Sequence, residues 1–173
     1  LFRFRENDMK DFQTADLLDQ HEEAARAGQV RVVEPMFIHY GGRRRFCGTI
    51  STLKVFEDNS LVRKALETAG NGRVLVIDGG GSKRCALVGD QLAQLGVKNG
   101  WAGIVVFGCI RDSAAMAGMD IGLRALDTHP LKSIKKGAGD ADIPVSFGGV
   151  SIAPGEQLYA DEDGIVVAPA PLL

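Results

Sequence analysis

The sequence predicts an α/β fold with a central βαβ unit and a β-rich C-terminal part, and three observations predict it. Residues 73–78 and 103–108 are short, almost continuous apolar runs, as strands buried on both faces require. Between them, over residues 89–99, Leu92, Leu95 and Val97 recur at helical spacing. After Asp120 the pattern shortens to apolar segments at 121–126, 145–152 and 164–167, parted by the turn signals Pro154-Gly155 and Asp161-Glu162-Asp163-Gly164. A strand–helix–strand unit of this length implies parallel strands and a right-handed crossover.

The remaining elements follow in chain order. Thr14 is the candidate N-cap of a first helix, with Asp16 and Asp19 near its start and Gly28 to stop it. Residues 30–33 read as a strand, Gly41 to Arg45 as a loop, and the Thr/Ile/Val-rich stretch 46–56 as a second strand. Asn59 or Ser60 caps a helix whose Leu61, Val62, Ala65, Leu66 and Ala69 share a face, and Asn71-Gly72 turns the chain. A length of 173 residues without repeat, linker or low-complexity tract suits one domain, 1–173. The chain opens on Leu1 rather than Met, so its first residues are read as incomplete or added.

Composition narrows the function classes. With 22 Gly and only 6% aromatic residues, the core must be built from Val, Ile, Leu and Ala, with backbone packed close to backbone. A net charge of −2 gives no general attraction to nucleic acid or an anionic membrane, so neither is an expected partner. No apolar run reaches membrane-spanning length. Cys47, Cys85 and Cys109 are odd in number and far apart, which suits reduced thiols and a cytoplasmic location rather than a disulfide framework or a thiolate metal site.

Two constellations carry chemistry. Asp78-Gly79-Gly80-Gly81-Ser82 follows a strand, where phosphate-binding loops sit, but a dinucleotide fingerprint needs glycine at position 84, which is Arg84. The glycines are read as allowing a sharp turn and close packing, with a pocket rim as the alternative. The second constellation is Asp90 at a helix start and Arg111-Asp112 just past the next strand. In a βαβ unit these pieces face one crevice at the C-terminal ends of the strands. The backbone of Gly89, Asp90, Gln91 and Leu92 can turn N–H groups toward a carboxylate. Arg111 offers a permanently charged fork for a carboxylate or an enolate oxygen, and Asp112 is a hard oxygen ligand for Mg²⁺ or Mn²⁺. From the residues alone, a surface ion pair between Arg111 and Asp112 is an equal reading.

The spacing of Asp90 and Arg111-Asp112, within GDQLA and GWAGIVVFGCIRD, resembles that of the class II 4-hydroxy-4-methyl-2-oxoglutarate aldolase family. The segments GGRRRFCGTI, VFEDNSLVR, RVLVIDGGGSKRCALVGDQLA and VSFGGVSIAPGEQLYADEDGIVV are similar to its regulator of ribonuclease activity A subgroup, once labelled demethylmenaquinone methyltransferases. The resemblance runs from Thr14 to Val167. It implies a compact β/β/α swivelling domain like the phosphohistidine domain, assembled as a homotrimer or a dimer of trimers with sites between subunits. It further implies that the backbone of Gly89, Asp90, Gln91 and Leu92 holds the substrate carboxylate and that Arg111 contacts the substrate oxygen. Asp112 would bind the divalent metal, Asp90 would hold a water on that metal, and Asp19 of a neighbouring subunit would approach the site. The activity so implied is metal-dependent cleavage of 4-hydroxy-4-methyl-2-oxoglutarate to two pyruvates, and decarboxylation of oxaloacetate through the same pyruvate enolate. The alternative it implies is a non-catalytic regulator that binds and inhibits ribonuclease E.

Two departures bear on the choice. The longer aldolases of the family carry a C-terminal extension with a further acidic group, for which an end at Leu173 is too early, and this favours decarboxylation. Some regulators lack an acidic residue after the arginine, whereas Asp112 is retained here. His21, His39 and His129 have no partner at ligand spacing and are expected in loops or on the surface. Arg43 to Arg45 and Lys132, Lys135 and Lys136 read as solvated loop charges, and the 161–164 segment as a turn rather than a calcium loop. A Rossmann-type methyltransferase fold finds neither its fingerprint nor its larger sheet.

Overall fold

The computed structural model describes residues 11–173; the Leu1 opening lies outside them. The chain begins with helices α1 (Thr14–Gln20) and α2 (Glu22–Arg26), then short strands β1 (Arg31–Val32) and β2 (Ile38–His39). The central portion is β3 (Phe46–Lys54), α3 (Ser60–Leu66), β4 (Val74–Asp78), β5 (Ala86–Val88), α4 (Asp90–Lys98), β6 (Gly103–Ile110), α5 (Ser113–Met116) and β7 (Gly122–Thr128). Strands β8 (Asp140–Ala141), β9 (Val145–Phe147), β10 (Val150–Ile152), β11 (Gln157–Ala160) and β12 (Ile165–Ala168) complete it.

Strands β3, β4, β6 and β7 are parallel neighbours, with Val74 of β4 opposite Ile50 of β3 and Gly103 of β6. The expected βαβ unit is therefore present as β4-α4-β6. The C-terminal β segments are not a separate layer throughout. β11 and β12 join the same sheet beside β3, in the order β1-β12-β11-β3-β4-β6-β7-β2, while β9 and β10 form a separate hairpin. That hairpin turns through Gly148 and Gly149, with φ of 59° and 73°, the left-handed pair a two-residue turn requires.

Alternation along the strands sorts the core into layers. Leu75 and Ile77 of β4 and Ile104 and Val106 of β6 meet Val62, Leu66, Leu92 and Met116 of the helices. Val74, Val76 and Val105 face the other way, onto Val145, Phe147 and Ile152 of the hairpin. Further along the sheet, Tyr159 and Val166 pack against Phe12 and Leu17 beside α1. Phe46 explains two glycines: a Cβ at Gly103 or Gly122 would lie 2.3 or 2.0 Å from its ring. Its ring also carries the guanidinium of buried Arg124, 5.2 Å from the centroid.

Local departures have side-chain causes. Thr14 is not the cap of α1: Gln13 occupies that position, and the buried Thr14 donates its N–H and hydroxyl to Asp161, both at 2.7 Å. The 161–164 turn is thus also the anchor of α1. Arg43 pairs with Asp120 and Arg45 with Asp11 and Glu162, so these two loop arginines are engaged rather than simply solvated. Arg124 donates to the carbonyls of Arg44 and Asp161 and contacts His39 Nδ1 at 2.6 Å, tying β2, this loop and the 161 turn together. Burial lowers the Arg124 pKa to about 10, which leaves it charged at neutral pH. Burial, then the Arg124 charge, pushes His39 down.

Candidate active site

β5 is the element that builds the site. It runs parallel to the end of β6, with Ala86 opposite Cys109 and Val88 opposite Ile110. Since β7 occupies the other edge of β6, β5 continues the lane that β4 leaves at Asp78. Residues 79–85 are an excursion between these two strands. Their glycine loop is tied inward: Gly79 and Gly81 N–H both donate to Phe107 O, and Gly80 N–H to Asp78 Oδ1. A Cβ on Gly79 would lie 2.6 Å from Leu87 and 2.8 Å from Phe107 O. The packing role holds, and these three N–H groups are already committed, two to β6 and one to Asp78.

The pairing of β5 with β6 sets residues 89–92 beside Arg111 and Asp112. Arg111 N–H donates to Val88 O at 2.9 Å, and Asp90 N–H to Asp112 Oδ2 at 3.0 Å. Gly89 leaves room for that contact, because a Cβ would come within 2.8 Å of that same carboxylate oxygen and push it aside. Asp112 has φ 59° and ψ 37°, the left-handed region that Asp tolerates better than most residues, and this turns its side chain back onto the start of α4. Its backbone carbonyl meanwhile accepts Met116 N–H in α5.

The donors are therefore partly spoken for. Asp112 takes Asp90 N–H, and Asp90 Oδ1 takes Gln91 N–H at 2.8 Å, while Leu92 N–H has no acceptor among the described residues. Arg111 makes no ion pair with Asp112; its one hydrogen bond from the guanidinium among the described residues reaches Pro130 O at 3.5 Å. That removes the reading of these two side chains as a paired surface salt bridge. Asp112 is exposed and keeps Oδ1 without a hydrogen bond among the described residues. Buried thiols lie beneath: burial raises Cys109 and Cys85 above the usual thiol range, so neither is a ready nucleophile.

Asp90, Arg111 and Asp112 are thus brought together at the C-terminal ends of the parallel strands. Asp19 is not: it lies exposed on α1, which packs over β11 and β12, with β3 and β4 between them and β6. The lysines Lys132, Lys135 and Lys136, expected in a solvated loop, lie in the segment 129–139 between β7 and β8. It follows β7 as a strap whose Leu131 O accepts Ala86 N–H at 2.8 Å and whose Lys136 and Ala138 N–H groups donate to buried Asp58. Asp58 also takes Ser60 N–H and hydroxyl at the start of α3. Burial would raise its pKa, but these hydrogen bonds outweigh that and hold it far below the usual carboxylate range. The D-x-S spacing of Asp58 and Ser60 is the signal that could have marked it. No helix among the described residues is long and apolar enough to cross a membrane.

Comparison with known proteins gives this geometry its relatives. The sequence pattern of the RraA-like family, Aldolase/RraA, matches residues 14–167. A protein of Aromatoleum aromaticum, provisionally named 4-hydroxy-4-methyl-2-oxoglutarate aldolase, is 66% identical over 94% of this chain and 99% of its own length. One of Dechloromonas aromatica with the same provisional name is 62% identical over 91% of this chain and 96% of its own. Among solved structures, the Geobacillus kaustophilus protein titled S-adenosylmethionine: 2-dimethylmenaquinone methyltransferase superposes with a TM-score of 0.88 at 51% identity, covering 93% of this chain and 97% of that one. The RNA-processing inhibitor RraA of Thermus thermophilis superposes at 0.87 and 46% identity, covering 94% and 95%. The matched span begins at Thr14 on α1 and ends at Val167 in β12, enclosing every residue of the site, and the chain belongs to the RraA-like family, Aldolase/RraA.

Proposed function

We propose that the protein is a divalent-metal-dependent lyase of 2-oxo acids. It would cleave 4-hydroxy-4-methyl-2-oxoglutarate to two pyruvates and decarboxylate oxaloacetate, both through a pyruvate enolate. The observation that carries this reading is the convergence of the α4 N-terminus, an Arg111 free of ion pairs among the described residues, and an exposed Asp112 at one strand end. The provisional names of relatives up to 66% identical support the aldol reaction.

Asp112 suits a hard cation, because Oδ1 is unspent while Oδ2 is fixed by Asp90 N–H. Among the described residues no group of three or more His, Cys, Asp or Glu side chains lies together. The fit is therefore to Mg²⁺ or Mn²⁺, which can be held by one or two carboxylates with water and substrate completing the shell. Bound there, the metal supplies Lewis-acid polarisation of the substrate's carboxylate and carbonyl oxygens. Leu92 N–H and the positive end of α4 face the substrate carboxylate. Arg111 stands against the oxygen on which enolate charge develops, a fixed positive group needing no rearrangement during reaction. In the aldol cleavage Asp90 would, through water, take the substrate's C4 hydroxyl proton as the carbon–carbon bond breaks and return one to the enolate carbon; in the decarboxylation CO2 leaves and that carbon takes its proton from water.

Pyruvate release from both substrates, with Mg²⁺, Mn²⁺ or a chelator, tests this. Arg111→Ala or Asp112→Ala should each cost about 10²–10³-fold in kcat, and chelation should abolish the remaining rate. If both variants keep the metal-stimulated rate, the site is wrong.

The same reading extends to assembly: a cytoplasmic homotrimer of β/β/α swivelling domains, each 1–173, with Asp19 reaching a neighbour's site. It is supported by opposite charge on two exposed faces, Asp16, Asp19, Glu22 and Glu23 on α1 and α2, and Lys132, Lys135 and Lys136 on the strap. Sedimentation equilibrium at a single-chain mass would refute it. A second reading, binding and inhibition of ribonuclease E, is favoured by the likeness to the Thermus thermophilis inhibitor. A pull-down against that ribonuclease tests it, and absence of binding at micromolar concentration removes it.

A further inference from the structure

Both halves of the site rest on one three-residue turn that follows β7. His129 N–H donates to Ile110 O at 2.9 Å, extending the β6–β7 ladder one step past Thr128 and placing the turn directly beside Arg111. Leu131 N–H then donates to His129 Nδ1 at 3.1 Å, closing the turn around Pro130. Two carbonyls leave this turn in the service of the site. Pro130 O receives Arg111 Nη1 at 3.5 Å, and Leu131 O receives Ala86 N–H at 2.8 Å at the start of β5, the strand that leads to Gly89.

Pro130 locks its own φ and biases His129 to extended backbone, but neither fixes the direction of the next peptide. The Leu131 N–H does, and its acceptor is the imidazole. His129 here plays the part of an Asx side chain, accepting from the backbone two residues on. A ring whose Nδ1 accepts carries its proton on Nε2 when neutral.

We infer that His129 is a positioning residue: its Nδ1 sets the carbonyls that aim Arg111 and hold β5, and so registers the guanidinium against the α4 N-terminus. The inference rests on the proposed role of Arg111 toward substrate. Asparagine is the discriminating replacement, since its Oδ1 can accept the same N–H while presenting no imidazole.

The experiment compares wild type, His129→Ala and His129→Asn by hydrogen exchange at the Leu131 amide, by kcat and KM for pyruvate release, and by oxalate affinity in Mg²⁺. Oxalate is used as a planar mimic of the enolate. In His129→Ala, Leu131 exchange should quicken at least about tenfold and kcat should fall about 10–100-fold, as small misplacements of catalytic groups do. KM should change little. His129→Asn should return both exchange and kcat to within about threefold of wild type. Rapid Leu131 exchange with an unchanged kcat overturns the inference. So does a His129→Asn protein that regains amide protection but not rate, because the ring would then act on substrate itself. Should wild type release no pyruvate, the proposed reaction fails, and the inference is judged on oxalate: an affinity equal in wild type and His129→Ala, or no binding to wild type, overturns it.

Discussion

Asp58 and Asp112 invite comparison. Each follows a parallel strand, β3 or β6, at the same end of the sheet, and each accepts a backbone N–H at the start of a helix. Asp58 is 3% exposed and spends both oxygens, one on Ser60 and the other on the strap at Lys136 and Ala138. Asp112 is exposed and spends one. The first is saturated and serves to hold α3 and the strap in place. The second keeps one oxygen unspent among the described residues. Spare acceptor capacity separates a carboxylate that can act from one that only holds, and sequence position does not.

Removing Asp58 should break the holding side of the comparison and produce the largest change. Asp58→Ala strands four partly buried donors, and a loss of about 2–4 kcal/mol is expected, read from urea unfolding. Asp112→Ala, measured beside it, should shift stability by less than about 1 kcal/mol while kcat falls about 10²–10³-fold. A reversal of the two would refute the division of roles.

Gly89→Ala sharpens the acting side. Its Cβ would press on Asp112 Oδ2, so the carboxylate must swing off the start of α4. A fall of about 10-fold or more in kcat is expected, with a melting temperature close to wild type.

The last effect is that of pH on the holding carboxylates. Asp58 and Asp161 both have folded pKa values below the ordinary one, burial being outweighed by the N–H and hydroxyl donors of Ser60, the strap and Thr14. Their stabilisation is complete above the unfolded carboxylate pKa of about 4. It is lost as pH falls through the folded values. The urea midpoint should therefore drop between pH 5 and pH 2 on the order of the range that linkage predicts, and Asp58→Asn should flatten the profile. An unchanged profile would mean that Asp58 is not the saturated group described.

The parallel unit was legible in the residues because its strands are buried on both faces. Val74, Leu75, Val76 and Ile77 must be apolar without alternation, and that run is unmistakable. Strands β2, β5, β8 and β11 were not legible. The first three have two or three residues each, too few to show a period, and β11 mixes Gln157 with Tyr159 and Ala160. The cost fell on β5, which decides how residues 89–92 meet Arg111.

By itself the sequence determined the residue types of the candidate site, the βαβ scaffold and the strand end at which those residues meet. Periodicity and chain connectivity are local properties, and these outcomes follow from them. Only the tertiary structure decided that Asp90 N–H closes on Asp112, that Arg111 stays clear of its neighbour, and that His129 and Asp58 govern the strap above them. The His129 turn closes between neighbours, Nδ1 to Leu131 N–H, but the others join groups at least 19 residues apart or depend on one left-handed residue, Asp112. Hydrogen-bond capacity is allotted only when distant segments are in place, so which carboxylate remains unsatisfied cannot be read from the order of residues.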